Sequence, residues 1–256
     1  MKKIRVGAVS YLNTKPLLYG IRKHKVSQQI ELIEDYPSRI AQLLIDDKID
    51  VGLIPVAAIL RLKEHHIITN YCIGSDGPVA SVCIFSEVPI EEVKNIYLDY
   101  QSKTSVSLAR ILIKEYWKKE VELIETKDED FRDQIKGVTA GVVIGDRALL
   151  LKSDYKYAYD LSAEWKKFTG MPFVFACWVG PNDLSESFLK EFNAALLSGL
   201  NSIDEISQLE NSKLSKEEIK SYLTNNIDYN FDEDKKDAMK LFLKLSEHYE
   251  LLPVHL

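Results

Sequence analysis

The sequence has little of what builds metal centres, disulfide frameworks or membrane spans. Three cysteines, Cys72, Cys83 and Cys177, and five histidines occur in 256 residues. An odd number of cysteines, each in an apolar, strand-like context, reads as reduced, buried thiols in a cytoplasm and excludes a small disulfide-stapled fold. No metal-ligand spacing, phosphate-binding loop, dinucleotide fingerprint or nucleophile elbow is present. The pair His65-His66 stands just before a strand-like run and reads as surface. The longest apolar stretch, Phe173 to Val179, falls far short of the roughly 20 residues of a membrane span. Met1-Lys2-Lys3 resembles the start of a secretory leader, but Asn13, Thr14, Lys15 and Pro16 interrupt it before an apolar region forms, so no export signal is expected. Internal repeats, low-complexity tracts and flexible linkers are also missing.

Charge of one sign is not concentrated anywhere. The 33 basic and 39 acidic residues give a net charge of −6 and occur in mixed clusters such as Lys118 to Glu122. A nucleic-acid binder would gather Lys and Arg on one face, so that class is excluded. What remains, 46% hydrophobic and 28% charged residues, is the balance of a globular protein with a core of its own.

Short β-rich runs alternate with helical spacings, the pattern of an α/β fold. Strands are expected at 4–9, 30–34, 50–54, 67–73 and 80–85, with helices at 15–25 and from Pro37 onward. After a polar turn at Ser86 to Pro89 a second α/β series follows. It has strands at 95–99, 121–125 and 140–144 and helices at 102–116, 128–136 and 147–151. Phe173 to Val179 reads as a last strand returning to the first lobe, and from Ser185 the pattern is purely helical. The expected organisation is therefore a first lobe of 1–86 plus 176–256, carrying the C-terminal helices, and an inserted second lobe of 87–175, joined by a hinge. In such folds a ligand sits beyond the carboxyl ends of strands, where loops from two lobes meet.

Those loops carry the candidate chemistry. Ser10, Asn13 and Thr14 follow the first strand, where an amide can orient a hydroxyl or carboxylate; equally, Asn13 or Thr14 could cap the helix that Pro16 starts. Ser102, Thr104 and Ser105 stand at a helix N-terminus, which suits either an anion site or a cap. Gly145 lets backbone approach a ligand, and Asp146 is either a ligand contact or a cap. Around Trp165 to Phe175 the aromatics read as packing around a tight turn, with Thr169 the one polar candidate.

Several stretches resemble the menaquinone-biosynthesis family of the futalosine route, and within it the chorismate dehydratase (MqnA) group. They are Val9 to Leu17, Asp50 to Val56, Ser81-Val82, Asp99 to Ser105, Ile144 to Asp146, Asp160-Leu161 and Trp165 to Trp178. The sister enzyme that makes dihydroxynaphthoate has a first loop rich in Ser, Pro and Cys, whereas Tyr-Leu-Asn-Thr here favours the dehydratase. The resemblance implies a periplasmic-binding-protein type II fold and loss of water from chorismate to give 3-[(1-carboxyvinyl)oxy]benzoate, with no metal or organic cofactor. It implies Asn13 as the residue that orients the substrate and adds Tyr11, Pro55 and Ser81 to the substrate-binding set. With no His or Glu in the loops, the substrate's own carboxylate stays open as the base. The alternative reading is a non-catalytic cytoplasmic binding protein or sensor for a small carboxylate, since this fold hosts much ligand capture. Neither a nucleic acid nor a membrane is expected as partner, and the oligomeric state is left open.

Overall fold

The computed structural model describes residues 3–63 and 66–250. His65 lies outside them, while His66 opens a strand and is exposed. The chain divides into two compact units, 1–74 with 174–232 and 75–173 with 233–256. It passes between them three times rather than the two times expected.

In the first unit, β1 (Ile4–Val9), β2 (Ile30–Asp35) and β3 (Val51–Pro55) run parallel, with β1 in the middle. Next to β3 lies antiparallel β10 (Phe173–Gly180), then β4 (His66–Ser75) and, at the edge, β11 (Asp228–Asn230). β3 and β10 are buried throughout, which is why they read as continuous apolar runs. α1 (Lys15–Lys23) begins with Pro16 in its first turn, where a missing N–H costs nothing. It lies against α6 (Glu186–Leu200) at backbone contact. A Cβ on Gly20 would come within 1.9 Å of the Ala195 carbonyl oxygen, and one on Gly199 within 1.8 Å of that of Pro16. The first turns of α1 are therefore seated on α6. α2 (Pro37–Ile45) crosses between β2 and β3, and α7 (Ile203–Leu209) and α8 (Lys216–Ser221) precede β11.

The second unit is built on β5 (Val82–Ser86), β6 (Asn95–Leu98), β7 (Glu122–Glu125), β8 (Thr139–Ile144) and β9 (Tyr157–Asp160), in the order β7-β6-β8-β5-β9. β6 is parallel to β7 and β8, while β5 is antiparallel to both β8 and β9. α3 (Lys103–Ile111), α4 (Asp146–Leu151), α5 (Leu161–Thr169) and α9 (Glu233–Glu250) complete it.

Several expectations are corrected here. β5 pairs with β8 and β9, so residues 82–86 belong to the second unit and the boundary falls at 74/75. α9 also belongs there, because it lies on α3 and sets Phe242 against Trp165 and Phe173, at ring separations of 6.3 and 5.0 Å. The stretch 128–136 forms only a 3-10 turn, Asp130–Gln134. Its apolar anchors Phe131 and Ile135 are buried, and Gly137 at φ 59 breaks the helical path. The aromatic stretch after 160 is the helix α5, ended by Gly170 at φ 76, and the C-terminal part is interrupted by β11. All three cysteines are buried and none forms a disulfide. Among the described residues, no helix is long and apolar enough to cross a membrane.

Candidate functional site

In the first unit the carboxyl ends of parallel β1 and β3 share one edge of the sheet. Gly7 is level with Gly52, and the same register continued sets Ser10 level with Pro55. Ser10 is exposed, Tyr11 and Asn13 are half-buried, and Thr14 is fully buried. Residues Leu12–Thr14 form a 3-10 turn that runs into α1, and no side chain caps either start. The capping role open to Asn13 and Thr14 is therefore not the one they take. Instead the Thr14 hydroxyl donates to the Asn13 side-chain oxygen at 3.1 Å. The Asn13 main-chain carbonyl accepts a 2.8 Å hydrogen bond from the phenol of Tyr229, on β11. Oδ1 thus accepts one hydrogen bond, and no acceptor among the described residues takes the Nδ2 hydrogens. The arrangement offers a fixed, neutral hydrogen-bond donor.

In the second unit, strand directions bring the other candidates to one edge as well. The carboxyl ends of β6, β8 and β9 and the amino end of β5 all lie there, since β5 and β9 alternate in direction with β8. The Gly145 N–H donates to the Ser81 carbonyl at 2.8 Å, which joins two of the candidate loops. Gly145 has φ 67, in the left-handed region that favours glycine, and it occupies the cap position of α4. Asp146 is thus the first residue of α4 and not its cap. Ser102 does cap α3: its hydroxyl accepts from the Ser105 N–H at 3.2 Å and lies 3.0 Å from the Ser105 hydroxyl. Ser102, Thr104, Ser105 and Ser81 are all buried. Thr169 stands apart, about 13 Å along α5 from its start. Its hydroxyl donates to the Trp165 carbonyl at 2.9 Å and accepts from the Met171 N–H at 3.2 Å, closing the helix.

Two buried carboxylates hold these loops. Asp99 accepts from the Gln101 N–H (3.0 Å), the Ile144 N–H (3.1 Å) and the Arg147 guanidinium (2.7 Å). Arg147 also donates to the Gln101 side chain at 3.0 Å. Asp160 accepts from the N–H groups of Val79, Ala80, Ser162 and Ala163 at 2.6 to 3.2 Å. This draws Ala80 into a positive φ of 62 and caps α5. Burial pushes both carboxyls above the usual range, opposed at Asp99 chiefly by the Arg147 cation and at Asp160 by the backbone donors. Both carboxylates are engaged in holding structure. Local sequence pattern does not mark the role of Asp99 or of Tyr229. The run Asp160 to Gly170 carries a cap at one end and a glycine at the other, a signal that was legible. Tyr229 carries none.

Solved structures define the class. A crystal structure of an Archaeoglobus fulgidus protein superposes with a TM-score of 0.77 at 17% identity, covering 98% of both chains. A Candida albicans protein described as having the generic periplasmic-binding-protein fold gives 0.66 at 14% identity, over 97% of this chain and 91% of that one. The alkanesulfonate-binding protein SsuA of Xanthomonas axonopodis, bound to MOPS, gives 0.65 at 14% identity, over 99% and 95%. The protein therefore has a two-lobed α/β fold of the periplasmic-binding-protein type.

Within that class the sequence is more specific. The chain belongs to the menaquinone biosynthesis family, whose model matches residues 4–248. Among curated relatives, the chorismate dehydratase of Thermus thermophilus is 25% identical over 94% of both chains. That of Campylobacter jejuni is 27% identical over 73% of this chain and 72% of its own.

Proposed function

We propose that the protein is a chorismate dehydratase, a hydro-lyase that converts chorismate to 3-[(1-carboxyvinyl)oxy]benzoate and water in the futalosine route. Both quoted curated relatives carry that name, over up to 94% of the chain. The observation in the molecule that best supports the reading is the Asn13 amide, fixed as a donor by Thr14 in a loop that holds no carboxylate. In the elimination, the ring C–O bond to the hydroxyl breaks and the hydrogen on the neighbouring ether-bearing carbon leaves as a proton. The electron pair of that C–H bond completes the aromatic ring. Aromatisation drives the step, so positioning counts for more than a strong catalyst. A neutral donor from Asn13 suits the departing hydroxyl or a substrate carboxylate without titrating. The remaining substrate contacts are assigned to Ser10, Tyr11, Pro55, Ser81, Ser102, Thr104, Ser105, Gly145 and Asp146.

Asp99 and Asp160, buried and tied to structural donors, are poorly placed to take a proton, and we assign the base to a carboxylate of chorismate itself. We assign the reaction to the cytoplasm, in keeping with three buried cysteines that form no disulfide. The rival reading, ligand capture without turnover, has in its favour the fold shared with an alkanesulfonate-binding protein. Incubating pure protein with chorismate and a chelator, and following the product by proton NMR, separates the two. The aromatic product is expected. Chorismate bound but unchanged would replace the enzyme with a binding protein.

A further inference from the structure

We infer that Tyr229 is a positioning residue for the proposed dehydration, fixing the main chain of Asn13 from the far end of the sequence. The inference rests on the function proposed above for its rate readout and on geometry for the rest. Tyr229 stands 216 positions from Asn13 and donates its phenolic O–H to the Asn13 carbonyl at 2.8 Å, within the first unit. The ring is buried at 6% exposure. Burial, with the nearby Tyr222 second, raises the hydroxyl well above 10, so it stays a protonated donor across the working pH range.

The strand that carries it is irregular where it matters. β11 opposes β4 with Asp228 at Gly74 and Asn230 at Tyr71, so the register shifts across Tyr229. Such bulges re-aim a side chain and are over-represented beside active sites. Both flanks are tied down: the Phe231 N–H donates to the Asn70 carbonyl at 2.9 Å and the Asn230 N–H to the Asp228 carboxylate at 3.0 Å. The Asn13 residue is thereby held at two points, its carbonyl by Tyr229 and its side-chain oxygen by Thr14. A donor whose use is geometric loses rate when it shifts by about 1 Å, on the order of 100-fold.

Tyr229→Phe removes the hydroxyl and keeps the ring. Single-turnover conversion of chorismate should slow by about 10- to 100-fold, while affinity for the product changes by less than about threefold. Combined with Asn13→Ala, it should slow the reaction no further than Asn13→Ala alone, because the two act through one group. Tyr222→Phe, which removes another buried phenol from the same segment, should stay near the wild-type rate. Backbone amide exchange of residues 11–14 should accelerate by about tenfold in Tyr229→Phe with the fold intact. Wild-type rate in Tyr229→Phe, or rate losses that multiply in the double variant, would overturn the inference. A wild-type protein that leaves chorismate unchanged would sink the functional reading instead. The exchange measurement would then decide Tyr229 by itself, with unchanged protection of residues 11–14 counting against it.

Discussion

In the second unit each candidate loop is anchored through a buried carboxylate. Asp99 joins Gln101, Ile144 and Arg147, and Asp160 joins Val79, Ala80, Ser162 and Ala163. In the first unit the loop after β1 contains no carboxylate and is anchored by neutral groups, Thr14 and Tyr229, on either side of one amide. The difference teaches how polar residues near a ligand divide their work. Where charged side chains hold the backbone, the Ser102 hydroxyl beside them caps a helix. Where neutral bonds hold it, the Asn13 amide hydrogens meet no acceptor among the described residues.

The sharpest way to break that contrast is to remove a carboxylate from the second unit. Asp99→Ala would leave Arg147, whose side chain is only 14% exposed, without its main counter-ion. Loss of one partner of such a pair should cost about 3 kcal/mol of stability, read from urea denaturation. The opposite insertion, a charge into the first unit's loop, is Asn13→Asp. Beside a substrate dianion it should lower turnover on the order of 100-fold and weaken binding as well, with little change in melting temperature.

Tyr229 gives a test of the neutral anchoring itself. Its folded pKa lies above that of the unfolded chain, so above pH 10 the unfolded state releases a proton that the folded state keeps. Stability should therefore fall as pH rises past 10, and Tyr229→Phe should reduce that slope by about 1.4 kcal/mol per pH unit. An unchanged slope would show that the phenol is not buried as described. The smallest effect is expected for Ser102→Ala, about 1 kcal/mol of stability from the lost α3 cap. Loss of substrate affinity beyond the effect on folding measures the substrate contact proposed for Ser102.

Much of this was legible in the sequence. The strands at 4–9 and 173–179 and the helices begun by Pro16 and Pro37 stand close to where periodicity and proline placement put them. So do the loops that follow β1, β6 and β8. The family resemblance was carried by those same loops. What was not legible depends on partners distant in sequence. β9 is four residues long and becomes a strand only by pairing with β5. α9 reads as one more helix of a tail until Phe242 meets Trp165. Local pattern left Asn13 and Thr14 between cap and ligand, and only the Thr14 hydroxyl and the phenol of Tyr229 show why neither caps a helix.

Asn13 is the substrate donor proposed for the first unit. Single-turnover conversion of chorismate by Asn13→Ala, measured beside its dissociation constant for the aromatic product, tests this most directly. The account predicts a rate lowered on the order of 100-fold with product affinity nearly retained. Turnover close to wild type would remove Asn13 from the chemistry and contradict it.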